Sequence, residues 1–256
     1  MTLDFGHYLT ALQTEGELFA AAIAAATPDT PIPTCADWTM SDLVRHTGEV
    51  HRWATTIIRG GLAKPSLIPA DFLGPLPDDD QLVAWFSEGH AQLVDALASA
   101  PEELEAFVFH ADPPPPRLFW ARRQTHETTI HRVDAESSGG GSTPIEAAVA
   151  ADGIDEMLTG FAPRKFTPLH ADPATSMLVT TDDTPGGWRL TISDGPPVAE
   201  RIESLATANA TVCSVTGDAD DIYRALWNRG DTTRLGITGD AGVLELFRDN
   251  VRIRWG

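Results

Sequence analysis

Residues 137–141 read Ser-Ser-Gly-Gly-Gly, and no regular element continues through such a run. Serine competes with the backbone for hydrogen bonds, and consecutive glycines carry the largest entropy cost on ordering. The chain is therefore divided there, and its two sides are patterned differently. Upstream lie four long stretches with helical spacing, separated by strong breakers. Downstream lie short β-type runs with Gly-Gly and Asp-Gly turns.

The upstream helices are bounded by chemistry that can be named. Leu3–Ala26 is stopped by Thr27-Pro28-Asp29 and by the prolines at 31 and 33. The second begins at Asp37-Trp38-Thr39, where Thr39 or Ser41 can cap, and runs to Gly60-Gly61. A proline-rich loop leads to the third, Asp79 to Ala100, with Leu82, Trp85, Phe86, His90, Leu93 and Leu97 near helical spacing. Pro113–Pro116 enforces an extended stretch before the fourth, Arg117 to Glu136. Four such helices predict a bundle, with Trp38, Trp53, Trp85 and Trp120 in its core.

Beyond the glycines, Ile145–Gly160 predicts one more helix and Ser176–Thr181, Trp188–Ser193 and Thr211–Val215 predict strands. Asp218–Asn228 and Gly239–Phe247 read as helices, and Val251–Trp255 as a last strand. The expected fold class is a multi-domain α and α+β protein: a four-helix bundle over residues 1–142 and a smaller α+β domain over 143–256.

Charge narrows the partners. Eighteen basic against 37 acidic residues among 256 give a formal charge of −19, which repels phosphate backbones and anionic lipid. Two cysteines, Cys35 and Cys213, cannot build a disulfide framework. The first residues lack a basic leader, and no run of about 18 uncharged apolar residues occurs. These features predict a cytoplasmic protein, monomer or homodimer, that binds neither nucleic acid nor membrane.

The fourth helix carries His126-Glu127-Thr128-Thr129-Ile130-His131. Its two histidines stand five residues apart, roughly 140° around a helix, and cannot share an ion from one regular helix. Glu127 and His131 are an i,i+4 pair on one face, near Trp120, Gln124 and Asp134, and would bind a divalent ion with a ligand from another helix. The second helix offers two candidates, because His46 and His51 flank the stripe of Leu43, Val50, Ala54 and Ile57 on opposite sides. Periodicity does not choose between them. Asp134 reads either as a support for His131 or as a surface residue, Cys35 as a small buried filler, and His90 and His110 as lacking a partner at ligand spacing.

Three segments carry a resemblance. Thr34-Cys35-Ala36-Asp37-Trp38-Thr39-Met40-Ser41-Asp42-Leu43-Val44-Arg45-His46 resembles the start of the second helix in the mycothiol-dependent maleylpyruvate isomerase family, a branch of the DinB-like bundles. Arg122–Glu136 resembles that family's second signature, and Ala225–Gly230 with Ile237–Asp240 resembles its C-terminal domain, which is similar to sterol-carrier modules. The resemblance implies a divalent metal, usually zinc, on His46, Glu127 and His131. It also implies mycothiol, a low-molecular-weight thiol, as the cofactor, and a small electrophile or unsaturated acid as the substrate. An arginine of the C-terminal domain is implied too, with Arg229, Arg234, Arg252 and Arg254 as candidates. Arg252 is preferred on the alternation of Val251-Arg252-Ile253-Arg254-Trp255, and Arg229 is kept beside it. A metal-bound thiolate serves isomerisation and S-transfer equally. A non-catalytic small-molecule-binding protein is the further alternative, with co-purifying apolar ligand and no metal as its signature.

Overall fold

A computed structural model of the chain describes residues 3–110, 112–164, 166–203 and 211–253. They form two compact units. One comprises Leu3–Phe109 and Pro113–Thr143; the other comprises the described chain from Pro144 onward with His110 and Asp112.

The first unit is built from α1 (Phe5–Ala25), α2 (Met40–Gly60), α3 (Leu82–Ser99) and α4 (Pro116–Ser137). Asp4 caps α1 by accepting from the His7 amide at 2.8 Å. At α2 the cap is reciprocal: the Thr39 hydroxyl accepts from the Asp42 amide, and the Asp42 carboxylate accepts from the Thr39 amide at 2.9 Å. Those hydrogen bonds from Thr39, backbone first, lower the Asp42 pKa. Gly61 closes the same helix in the left-handed region at φ 54°. The expected start of α3 at Asp79 is instead a 3₁₀ turn, Asp79–Gln81, ahead of the α-helix. Pro116 opens α4 at a position whose amide has no helical partner to lose.

Apolar side chains collect in two clusters along this unit. Tyr8, Leu12, Ile57, Leu93, Leu97, Phe119 and Trp120 form one, and Phe19, Ile23, Met40, Leu43, Val44 and Phe86 the other. Trp120 belongs to the core and donates through Nε1 to the Phe107 carbonyl at 2.9 Å. Trp38 and Trp53 are half-buried and pack against these clusters, whereas the half-buried Trp85 lies under the Arg52 guanidinium at 3.8 Å. The fourth helix is the anomaly. Every residue from Phe119 to Ala135 is buried, and most of these are polar. Such burial is tolerable only with internal partners. The Thr125 hydroxyl lies 3.0 Å from the Tyr8 carbonyl and 2.8 Å from that of Ala121. Arg132 donates to Glu15 at 2.7 and 3.2 Å and to Glu136 at 2.8 Å.

In the second unit α5 (Ala147–Asp155) runs into a π-helical stretch, Glu156–Phe161, where a single α-helix is expected from the pattern. The described strands form one sheet of order β3-β2-β1-β4-β5: β1 (Thr175–Thr181), β2 (Gly187–Ile192), β3 (Val198–Ile202), β4 (Cys213–Gly217) and β5 (Gly236–Gly239). β1 and β4 run parallel, with Met177 opposite Cys213 and Val179 opposite Val215; the other pairings are antiparallel. Met177, Val179, Leu190, Ile192, Cys213 and Val215 alternate into the buried face. Helices α6 (Ala219–Leu226) and α7 (Gly242–Asn250) add Ile222, Tyr223, Leu226 and Phe247 to the core. Asp155 ties α5 to the sheet by accepting from Trp188 Nε1 at 2.8 Å and from Arg201 at 2.5 Å.

Three expectations need correction. Val198–Ile202 and Gly236–Gly239 are strands that the sequence pattern does not announce. Val251–Ile253 is not a strand, because α7 continues to Asn250 and the backbone then leaves it without sheet pairing. Arg254 and Trp255 lie outside the described residues, so the strand-face argument for Arg252 has no support. No helix among the described residues is long and apolar enough to cross a membrane.

Candidate metal centre

Among the described residues, His46, Glu127 and His131 form a group whose ligand atoms all lie within 4.8 Å of one another. α2 contributes His46; α4 contributes Glu127 and His131, one helical turn apart. Glu127 Oε1 stands 3.3 Å from His131 Nε2 and 3.7 Å from His46 Nε2. It is buried, and at these distances both contacts are ion pairs with an imidazole nitrogen. Ligand atoms about 2.0–2.1 Å from a tetrahedral zinc stand roughly 3.3–3.4 Å from one another, so this spacing and the N,N,O donor set fit a divalent ion of that kind. A buried carboxylate oxygen facing two imidazole nitrogens is what such a fit requires.

The surrounding groups fix each ligand. His131 Nδ1 lies 2.9 Å from Asp134 Oδ2, and a carboxylate only accepts, so the ring proton sits there and Nε2 faces Glu127. Asp134 is fully buried. Its Oδ1 accepts from the Thr34 hydroxyl at 2.5 Å and its Oδ2 from the Cys35 thiol at 3.3 Å. Arg123, also buried, places Nη2 3.2 Å from the second oxygen of Glu127. The Trp38 ring centroid is 4.9 Å from that of His46 and 6.4 Å from that of His131, so an indole forms one wall.

Electrostatics agree with this geometry. Burial alone would depress the His131 imidazolium, but Asp134 and Glu127 outweigh it and raise the pKa to about 9. Burial would raise the Glu127 carboxyl, but His131, His46 and Arg123 hold it well below the usual carboxylate range. Without a metal, the site is an imidazolium against a carboxylate.

The structure separates the two histidines that periodicity leaves equivalent. His51 is completely buried, with Nε2 2.9 Å from the Thr128 hydroxyl and its ring 5.4 Å from Phe86, and it is not in the ligand group. His90 is engaged with the Leu12 carbonyl at 2.9 Å. His126 is buried with its ring edge-on to Tyr8. His110 belongs to the second unit and packs on Phe161 at 4.7 Å. The arginine candidates Arg229, Arg234 and Arg252 also belong to the second unit, and Arg234 pairs with Asp221 at 3.1 Å. Arg229 donates through Nη1 to the Trp227 carbonyl at 2.9 Å, and Arg252 is exposed and pairs with Asp249 at 3.1 Å. Sequence reasoning passes over Arg123, Thr34 and Trp38. Only Arg123, four residues before Glu127, leaves a signal in the spacing.

Residues 9–136 match the family described as the mycothiol maleylpyruvate isomerase N-terminal domain, and residues 148–246 match the C-terminal domain of the same isomerases. Two solved structures are similar, that of the mycothiol-dependent maleylpyruvate isomerase and that of a mutant of it. Each has TM-score 0.63 and 14% identity, covering 92% of this chain and 93% of the other. At that identity the likeness is one of fold. No curated protein sequence matches. With both domain families present in order over nearly its whole length, the chain belongs to the mycothiol maleylpyruvate isomerase family.

Proposed function

We propose that this protein is a mycothiol-using isomerase acting on an unsaturated acid, with His46, Glu127 and His131 as the ligands of a divalent metal, zinc by the donor set. The observation that carries the reading is Glu127 Oε1, buried between two imidazole Nε2 atoms at 3.3 and 3.7 Å. When bound, a divalent ion holds a coordinating thiol as a thiolate at neutral pH, the nucleophile that adds reversibly to a cis double bond and so permits its rotation.

The residues of the chain have separable parts in this. Asp134 keeps the His131 proton on Nδ1 and leaves Nε2 as the donor atom. Three protein ligands leave a position open for a further one, as catalytic zinc sites do. Trp38 walls one side against water. The resemblance to the family is what keeps Arg252 or Arg229 of the second unit as the partner of the substrate carboxylate; Arg252 is the more exposed of the two.

Elemental analysis of untagged protein prepared without chelator tests the reading. Close to one zinc per chain is expected, with loss of the metal but not of the fold in His131→Ala. Full occupancy in that variant overturns the ligand assignment. Absence of metal even after zinc is added back favours a binding module. Incubation with mycothiol and a cis-unsaturated diacid should then change alkene geometry; a stable thioether product instead identifies an S-transferase.

A further inference from the structure

Glu127 presents two oxygens, and the structure treats them differently. Oε1 faces the imidazoles of His131 and His46 at 3.3 and 3.7 Å. Oε2 faces Nη2 of Arg123 at 3.2 Å. Arg123 and Glu127 sit one helical turn apart on α4, and both side chains are almost wholly excluded from solvent, at 1% and 3% exposure. A charge-assisted hydrogen bond between such groups is strong and directional, because water does not compete for either partner.

We infer that Arg123 is a positioning residue: its guanidinium holds Oε2 of Glu127, so that this carboxylate meets a metal through Oε1 alone. The inference rests on the metal reading above and extends it. A carboxylate with both oxygens free would close over an ion through both of them and use up a coordination position. With one oxygen held from behind, the position stays available to a thiol. Arginine suits the task where lysine does not, because its planar fork fixes the direction of the donated N–H, whereas an ammonium is a rotatable point charge.

Two measurements on Arg123→Met and Arg123→Lys decide the matter. In a crystal structure of the metal-free Met variant, Glu127 is expected to turn so that both oxygens face the two histidines; an unchanged carboxylate overturns the inference. In the cobalt-substituted proteins, the wild type should show the intense visible bands of a four-coordinate ion. Both variants should bind cobalt but lose band intensity several-fold as a second carboxylate oxygen enters. Variant spectra identical to wild type, or folded variants that no longer bind cobalt, overturn it as well. If Arg123→Met does not fold, the Lys variant keeps the buried charge and carries both measurements. A wild type that takes up no cobalt removes the metal reading, while the metal-free structure still decides whether Arg123 sets the carboxylate.

Discussion

His131 and Asp134 are joined on the inner side of α4 by a contact of 2.9 Å between Nδ1 and Oδ2, three residues apart in the chain. The contact settles the tautomer of the ring and aims Nε2 at Glu127. Replacing Asp134 by Asn keeps the shape and removes the charge. Zinc affinity should then fall about 10–100-fold, as for comparable supporting groups in other zinc sites. Competition against a chelating dye reads this directly, and unchanged affinity would assign Asp134 a structural role alone.

Two buried histidines give the metal-free protein opposite responses to pH. The His131 pKa is raised from 6.5 to about 9, so its contribution to stability is complete below pH 6.5 and is lost as pH rises to about 9. His51 is held well below 6.5, chiefly by burial, so the folded state resists its protonation and stability is lost as pH falls below 6.5. In chelator, urea unfolding of His131→Asn should show a deficit of a few kcal/mol at pH 6 that closes by pH 9.5. For His51→Gln, the gap to wild type should narrow, or reverse, on the acid side.

Arg132 lies fully buried between Glu15 of α1 and Glu136 of its own helix, and its partners raise its pKa against the effect of burial. Arg132→Met leaves Glu15 without a counter-charge inside the bundle. A loss of about 3–5 kcal/mol is expected by denaturant unfolding. Combining it with Glu15→Leu should restore part of that loss, since the carboxylate left behind, Glu136, is partly exposed and still accepts from the Thr143 amide.

Gly48 on α2 is shaped by the ring beside it. A Cβ there would stand 2.0 Å from Cζ3 of Trp85, whose face carries the Arg52 guanidinium. Gly48→Ala should therefore cost about 1–3 kcal/mol despite alanine's better helix propensity. Calorimetry would show this as a lowered Tm. A gain in Tm would mean that Trp85 swings away freely.

The helices of the first unit were legible because their ends are chemically marked: the Thr39–Asp42 box, Gly61, and Pro116 at the head of α4. The edge strands β3 and β5 were not, since they are short and mostly exposed and so lack an alternating apolar face. Val251-Arg252-Ile253 has that alternation without being a strand, because pairing is decided by neighbours and not by pattern. At the metal centre, spacing brings Glu127 and His131 together but leaves His46 and His51 equal. A buried Thr128 beside His51 separates them, and only the folded chain reveals it. Arg123 and Thr34 escape notice, and Asp134 stays open between a support for His131 and a surface residue, for a related reason. A polar pair at helical spacing reads as solvated surface, and nothing in the local pattern of α4 announces that all its faces are covered.

The Asp134 carboxylate also accepts from Thr34 and from the thiol of Cys35, in the segment that leads into the helix bearing His46. A cysteine thus shares its acceptor oxygen with a proposed ligand without being one itself. Any change in how firmly His131 draws on Asp134 alters the hold on that sulfur. The alkylation rate of Cys35, followed by mass, would then act as a clock for occupancy of the centre, leaving every proposed ligand chemically untouched.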